Sequence, residues 1–308
     1  MLANFFGKSN PANFIILFLL FLAFYIVAFF VVTSLESITV DVLIYQLVMI
    51  GLFLLLFFVF NFILSKNKLT LYNSYGFLFF VLLLGIFPFT MTNREELIVN
   101  VILLILLRRI YSLRTPKATF KKMFDSGLWL AILFILNPFT LVYGILLYGS
   151  IYLFQKLNFR TFLIPIVGFS VPMLCYFTYC FWFDDLERFL ELFSWYTDYN
   201  FELYTSMEVF IPLVFIGLIA IISIILKTPK VFLVSGNYRK FWTLTLLNLL
   251  VAISLVLITK NKTGAELLCL FFPISIVLTN WIEGITKRFF QDFVLATFMV
   301  IPIVLFII

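Results

Sequence analysis

Carboxylates at the ends of apolar runs are the side chains here that could do chemistry. Glu36 and Asp41 bracket a short loop between two apolar stretches, so both must sit at one face of a membrane. A carboxylate so placed can act as a general base, or hold a divalent cation that bridges a diphosphate. The plainer alternative is a solvated loop charge. Asp184 and Asp185 open the longest polar segment, 184–208, which also carries Trp195 and Tyr196. Those residue types suit substrate binding, as a lid over an opening whose aromatic faces stack on a sugar ring. Leu186, Phe189, Leu190 and Phe193 also recur at helical spacing, with Glu187, Arg188 and Glu191 on the other side. The same segment therefore reads as an amphipathic helix lying on the membrane surface. Asn137 stands beside Pro138 inside an apolar block, where the proline break exposes backbone groups that could line a cavity.

Other chemistry is excluded. The chain has no histidine, which removes a histidine base, metal ligand or proton relay. Cys175, Cys180 and Cys269 lie in apolar runs without metal spacing and read as small hydrophobes. Phosphate-loop, nucleophile-elbow and zinc-protease motifs are all missing. Neither a metal nor a cofactor is expected.

Composition says what must position these residues. Apolar residues make up 64% of the 308-residue chain and charged residues 12%, against roughly 45–50% and about 25% in a soluble domain. Such a chain cannot cover itself with polar groups in water, and its apolar residues fall in blocks near the ~20 residues that span a hydrocarbon core. The expected fold class is all-α: a polytopic transmembrane helical bundle of about nine full spans plus one broken helical hairpin, forming a single transmembrane domain over 1–308. The spans are expected at 14–33, 42–64, 74–90, 97–112, 161–183, 209–226, 241–259, 265–283 and 290–308. The first is too long for a signal-peptide core and is read as retained. The block 128–155 breaks at Asn137-Pro138 into two pieces, each too short to span upright, and is read as a hairpin that returns to its starting side.

Charge sets the orientation. With a cytoplasmic N-terminus and a returning hairpin, all of the 21 basic residues except Arg94, Arg188, Lys260 and Lys262 face the cytoplasm. All of the 15 acids except Asp125, Glu283 and Asp292 face outward. A single crossing at 128–155 would invert every later loop and destroy the basic bias. The basic stretch 112–126 is thus a cytoplasmic connector, able to anchor topology or grip a lipid phosphate, and 184–208 is external. The net charge of +6 is met by the anionic membrane surface and calls for no nucleic acid. Abundant Phe, Ile, Asn and Lys suit an AT-rich bacterial genome, and so a bacterial inner membrane.

Two resemblances add to this. Through Leu69-Thr70-Leu71-Tyr72-Asn73-Ser74, Leu106-Leu107-Arg108-Arg109-Ile110-Tyr111-Ser112-Leu113-Arg114, Phe124-Asp125-Ser126-Gly127 and Thr263-Gly264-Ala265-Glu266-Leu267, the whole chain resembles an uncharacterised family of polytopic bacterial inner-membrane proteins. That resemblance implies the architecture and no activity. Residues 127–179 and 260–275, with the break at Asn137-Pro138, the basic turn at Lys156 to Arg160 and the Pro-bearing span after it, resemble parts of the polytopic glycosyltransferases that use polyprenyl-linked sugars. The second resemblance implies that Glu36 or Asp41 serves as the acidic catalytic residue, from a first loop much shorter than that family's. Three function classes follow: a non-catalytic subunit or scaffold of a cell-envelope assembly, with other membrane proteins as partners; a glycosyltransferase-like enzyme with a lipid-linked substrate at the outer face; and a transporter or lipid-handling protein. Few ionisable residues fall within the spans, which weighs against ion coupling.

Overall fold

Every regular element among the described residues is helical. The computed structural model describes residues 1–32, 39–155, 157–195, 200–234, 236–260 and 262–307, without the side chains of 31, 32 and 307. The helices are α1 (Leu2–Phe6), α2 (Pro11–Val32), α3 (Val40–Asn67), α4 (Tyr75–Ile86), α5 (Arg94–Ser112), α6 (Thr119–Leu136), α7 (Tyr143–Phe154), α8 (Phe159–Trp182), α9 (Leu186–Glu191), α10 (Glu202–Thr205), α11 (Met207–Phe232), α12 (Asn237–Ile258), α13 (Leu268–Glu283) and α14 (Arg288–Ile307). Seven are long and apolar enough to cross a membrane: α2, α3, α8, α11, α12, α13 with its lead-in turn, and α14. The two other expected spans fall on α4 and α5. At 1.5 Å per residue, the 12 residues of α4 reach about 18 Å, short of a ~30 Å core.

The helices group into two compact units interleaved along the chain. The first holds residues 1–97, 200–235 and 262–308. Its centre is α4, every residue of which is buried, because α2, α3, α13 and α14 pack around it. Phenylalanines fill the gaps: the Phe60 and Phe80 rings lie 4.6 Å apart, and Phe57 meets Phe77 edge-on at 5.0 Å. Pro88 forces the preceding Phe87 out of helical geometry, to φ −122° and ψ 76°. That ends α4 and begins a 3-10 turn over Pro88–Met91. At the other end of α13, Asn280 Nδ2 donates to the Leu69 carbonyl at 3.0 Å, and Glu283 Oε1 accepts from Leu71 N and Asn73 Nδ2.

The second unit holds 98–199 and 236–261. The helix of the 128–155 block stops at Leu136, Asn137 is extended, and a 3-10 turn over Pro138–Val142 leads into α7. The break thus lies at the expected dipeptide. Gln155 Nε2, just past α7, donates to the Leu113 carbonyl, just past α5, at 2.9 Å. The two ends of this block therefore meet, as a returning hairpin requires, and α6 and α8 set out from the same end. That end is strongly basic. Arg109 pairs with Asp125 at 3.2 Å, Arg114 stacks on the Phe241 ring, and Lys240 lies over Phe154. Large apolar side chains such as Leu174, Phe181 and Trp182 on α8 stand exposed, as expected of a surface solvated by lipid. Cysteines placed at Lys117 and Asn158 will label from the same side of the membrane in intact cells. Labelling from opposite sides would remove the hairpin.

Candidate functional site

The acidic end of the first unit collects the side chains with the most chemical capacity. Asn93 Oδ1 accepts from Glu96 N at 3.1 Å and starts α5, which places Glu95 and Glu96 in its first turn, where the helix dipole favours acids. Against them comes the segment that leads into α13. Gly264 has φ +80°, and a Cβ there would sit 2.6 Å from the Phe89 ring. Only glycine fits both the left-handed backbone and the contact. This tight turn delivers Glu266, which is 2% exposed. Its Oε1 accepts from the Tyr204 hydroxyl at 2.6 Å and its Oε2 from Thr263 Oγ1 at 3.4 Å.

Electrostatics make this a proton-holding centre. Burial, then the neighbouring Glu266 and Glu95 charges, push the Glu96 carboxyl up to about 7. Near neutral pH it holds a proton about half the time, as a general acid or base must. Burial and the bond to Glu266 push the Tyr204 hydroxyl up, so it stays a donor.

The candidates chosen from spacing stand elsewhere. Asp41 is exposed in the first turn of α3, behind the Thr39 cap, and among the described residues no hydrogen bond or ion pair joins it to Glu96 or Glu266. Glu36 and Tyr196 lie outside the described residues. Asp184 and Asp185 terminate α8: Asp184 is left-handed at φ 54°, Asp184 N donates to the Phe181 carbonyl and Asp185 N to that of Cys180, the Schellman pattern. Asn137 Oδ1 accepts from Phe139 N at 3.1 Å, so it caps the 3-10 turn. The Trp195 ring meets Phe139 edge-on at 6.1 Å, which brings Trp195 beside the break at Asn137. The expected amphipathic helix is present as α9, with Phe189 on Phe177 and Phe193 on Phe134. Phe189 thus lies against α8 and Phe193, past the end of α9, against α6, while Leu190 stays exposed.

Spacing alone misses Glu96, Glu266 and Tyr204. Glu266 lies in the Thr263 to Leu267 segment that carries the first resemblance, and that is the one available signal. Hydropathy leads to an expectation of few charges within the spans, yet Glu266 is buried at the head of the stretch that continues as α13. No group of three or more His, Cys, Asp or Glu side chains among the described residues could hold a metal ion.

The model of the Family of unknown function (DUF6427) matches residues 7–308. No curated protein and no solved structure matches. The chain belongs to the DUF6427 family.

Proposed function

We propose that this family member is a multi-pass protein of the bacterial inner membrane that serves a cell-envelope assembly as a non-catalytic subunit or scaffold. In this reading the whole chain is one transmembrane domain with a cytoplasmic N-terminus, and its partners are lipid and other membrane proteins. One observation carries it: the polar groups that chemistry would need are occupied in holding the chain. Both oxygens of Glu266 are engaged by hydroxyls of the same unit, and the Asn137 side chain caps a turn. A photo-crosslinking residue at Leu218 of α11, which is 56% exposed, will capture a second membrane protein in cells. Glu36→Ala, Asp41→Ala and the Asp184→Ala/Asp185→Ala double variant will keep normal function at normal protein level. A protein that stays monomeric and captures no neighbour from any exposed helix overturns the proposal.

One observation favours the enzyme reading, a transferase acting on a polyprenyl-linked sugar at the outer face. The Glu96 carboxyl, pushed up to about 7 by burial and then by the neighbouring Glu266 and Glu95 charges, is a strongly perturbed group, and such groups concentrate at functional sites. Glu96→Gln and Glu266→Gln separate the readings. A scaffold tolerates both while the protein level holds, whereas an enzyme that uses the pair loses its function.

A further inference from the structure

Two apolar grooves flank the contact between α6 and α8. The larger, about 560 Å³, lies between Leu130, Leu141, Ile145 and Ile166. Its one hydroxyl, on Tyr148, is already given to the Phe162 carbonyl at 3.0 Å. The smaller, about 360 Å³, runs along the first turns of α8 between Phe124, Phe159, Leu163 and Val167, and Arg160 forms part of its wall. Arg160 is exposed, and no carboxylate pairs with it among the described residues. The acid next to the groove in sequence, Asp125, is held by Arg109 at 3.2 Å.

The surroundings of Arg160 are positive throughout. It sits in the first turn of α8, where backbone N–H groups leave a partial positive charge. Because α7 returns between them, α6 and α8 start at the same end, so the connector bearing Arg114, Lys117 and Lys121 is at that end too. An apolar trough with an uncompensated cation at its mouth fits an amphiphile with a negative head. An apolar protein helix would leave the cation without a counter-charge, and a zwitterionic lipid would bring a second cation with its phosphate to an end that already carries Arg114, Lys117 and Lys121.

We propose that this groove seats an anionic glycerophospholipid, with an acyl chain along Phe124, Leu163 and Val167 and the head-group phosphate on Arg160. A basic residue near a membrane surface contributes about 1 kcal/mol toward an anionic lipid, which is roughly a fivefold change in affinity. The groove adds shape, so the site distinguishes this position from the rest of the basic end.

Native mass spectrometry of the delipidated full-length protein, titrated with phosphatidylglycerol or phosphatidylcholine, tests it. The wild type will retain phosphatidylglycerol over phosphatidylcholine. Arg160→Gln will weaken phosphatidylglycerol retention roughly fivefold, and Arg160→Lys will restore part of it. Val167→Trp, which fills the trough and leaves the charge alone, will weaken it as well. Lys240→Gln, a charge lost at the same end outside the groove, will not. Equal retention of the two lipids, or equal losses from Arg160→Gln and Lys240→Gln, overturns the proposal in favour of unspecific annular lipid. Displacement of phosphatidylglycerol by equimolar undecaprenyl phosphate overturns the choice of occupant. Should Val167→Trp fail to fold, the Arg160 pair still decides.

Discussion

Gly127→Ala will cost the protein at least about 3 kcal/mol, and Gly168→Ala will do the same. A Cβ at Gly127 would stand 2.0 Å from the Pro165 carbonyl oxygen, and one at Gly168 would stand 2.2 Å from that of Phe124. The two glycines are thus the two halves of one contact, in which α6 and α8 approach backbone to backbone. Small residues permit such an approach in membrane helices, where dispersion packing rather than water expulsion holds helices together. Overpacking ordinarily costs about 1–3 kcal/mol because side chains can yield. Here the obstacle is backbone, so the helices must separate, and the α6–α8 packing is lost along its length. Gly217 in α11 is the control: nothing lies within 4 Å of a Cβ there, so Gly217→Ala should be neutral or stabilise by about 0.5–1 kcal/mol. Thermal unfolding in detergent measures all three. The double variant Gly127→Ala/Gly168→Ala should lose less than the sum, since the first change already parts the helices. Melting of Gly127→Ala alongside Gly217→Ala would mean that this contact does not hold the unit together.

That contact shows where legibility ends. The apolar blocks, their limits and the break at Asn137-Pro138 follow from hydropathy and from the backbone geometry of proline, both local properties. Whether an apolar helix faces lipid or protein is not local. α4 is apolar all round, and composition cannot tell a helix wrapped by other helices from one wrapped by acyl chains. Its 12 buried residues become visible only with their neighbours. The acids behave likewise. Asp184-Asp185 also closes α8, through backbone geometry that no residue-type pattern announces. Glu266 has the look of a loop charge, yet the turn at Gly264 drives it inward against Tyr204, a partner from a distant part of the chain. Spacing along a sequence reveals pairs a helical turn apart, and the pairs that matter here are long-range.

Glu96 should make the stability of the first unit fall as pH rises. The fold raises its proton affinity from 4.5 to about 7, so the folded state prefers the protonated acid. The contribution is fully present below about pH 4.5, declines as pH climbs through about 7, and is gone above that. Each pH unit between those two values is worth about 1.4 kcal/mol. The full swing is on the order of 2–3 kcal/mol, taken at the low side because Glu96 retains partial exposure. Glu96→Gln keeps the shape and cannot ionise. It should match the wild type near pH 4.5 and exceed it by that swing at about pH 8–9, measured as the difference between the two proteins' thermal unfolding so that other acids cancel. Glu266→Gln offers a second arm. Burial is the largest cause of the raised Glu96 proton affinity and the Glu266 charge the next, so neutralising Glu266 should move the midpoint only part of the way back toward 4.5. Tyr204→Phe acts differently: it strips a charge-assisted hydrogen bond from Glu266, worth about 1.5–3 kcal/mol, wherever Glu266 is ionised. A Glu96→Gln protein whose stability tracks the wild type across this whole range would show that the fold does not raise the Glu96 proton affinity, and with that the enzyme reading loses its one supporting observation.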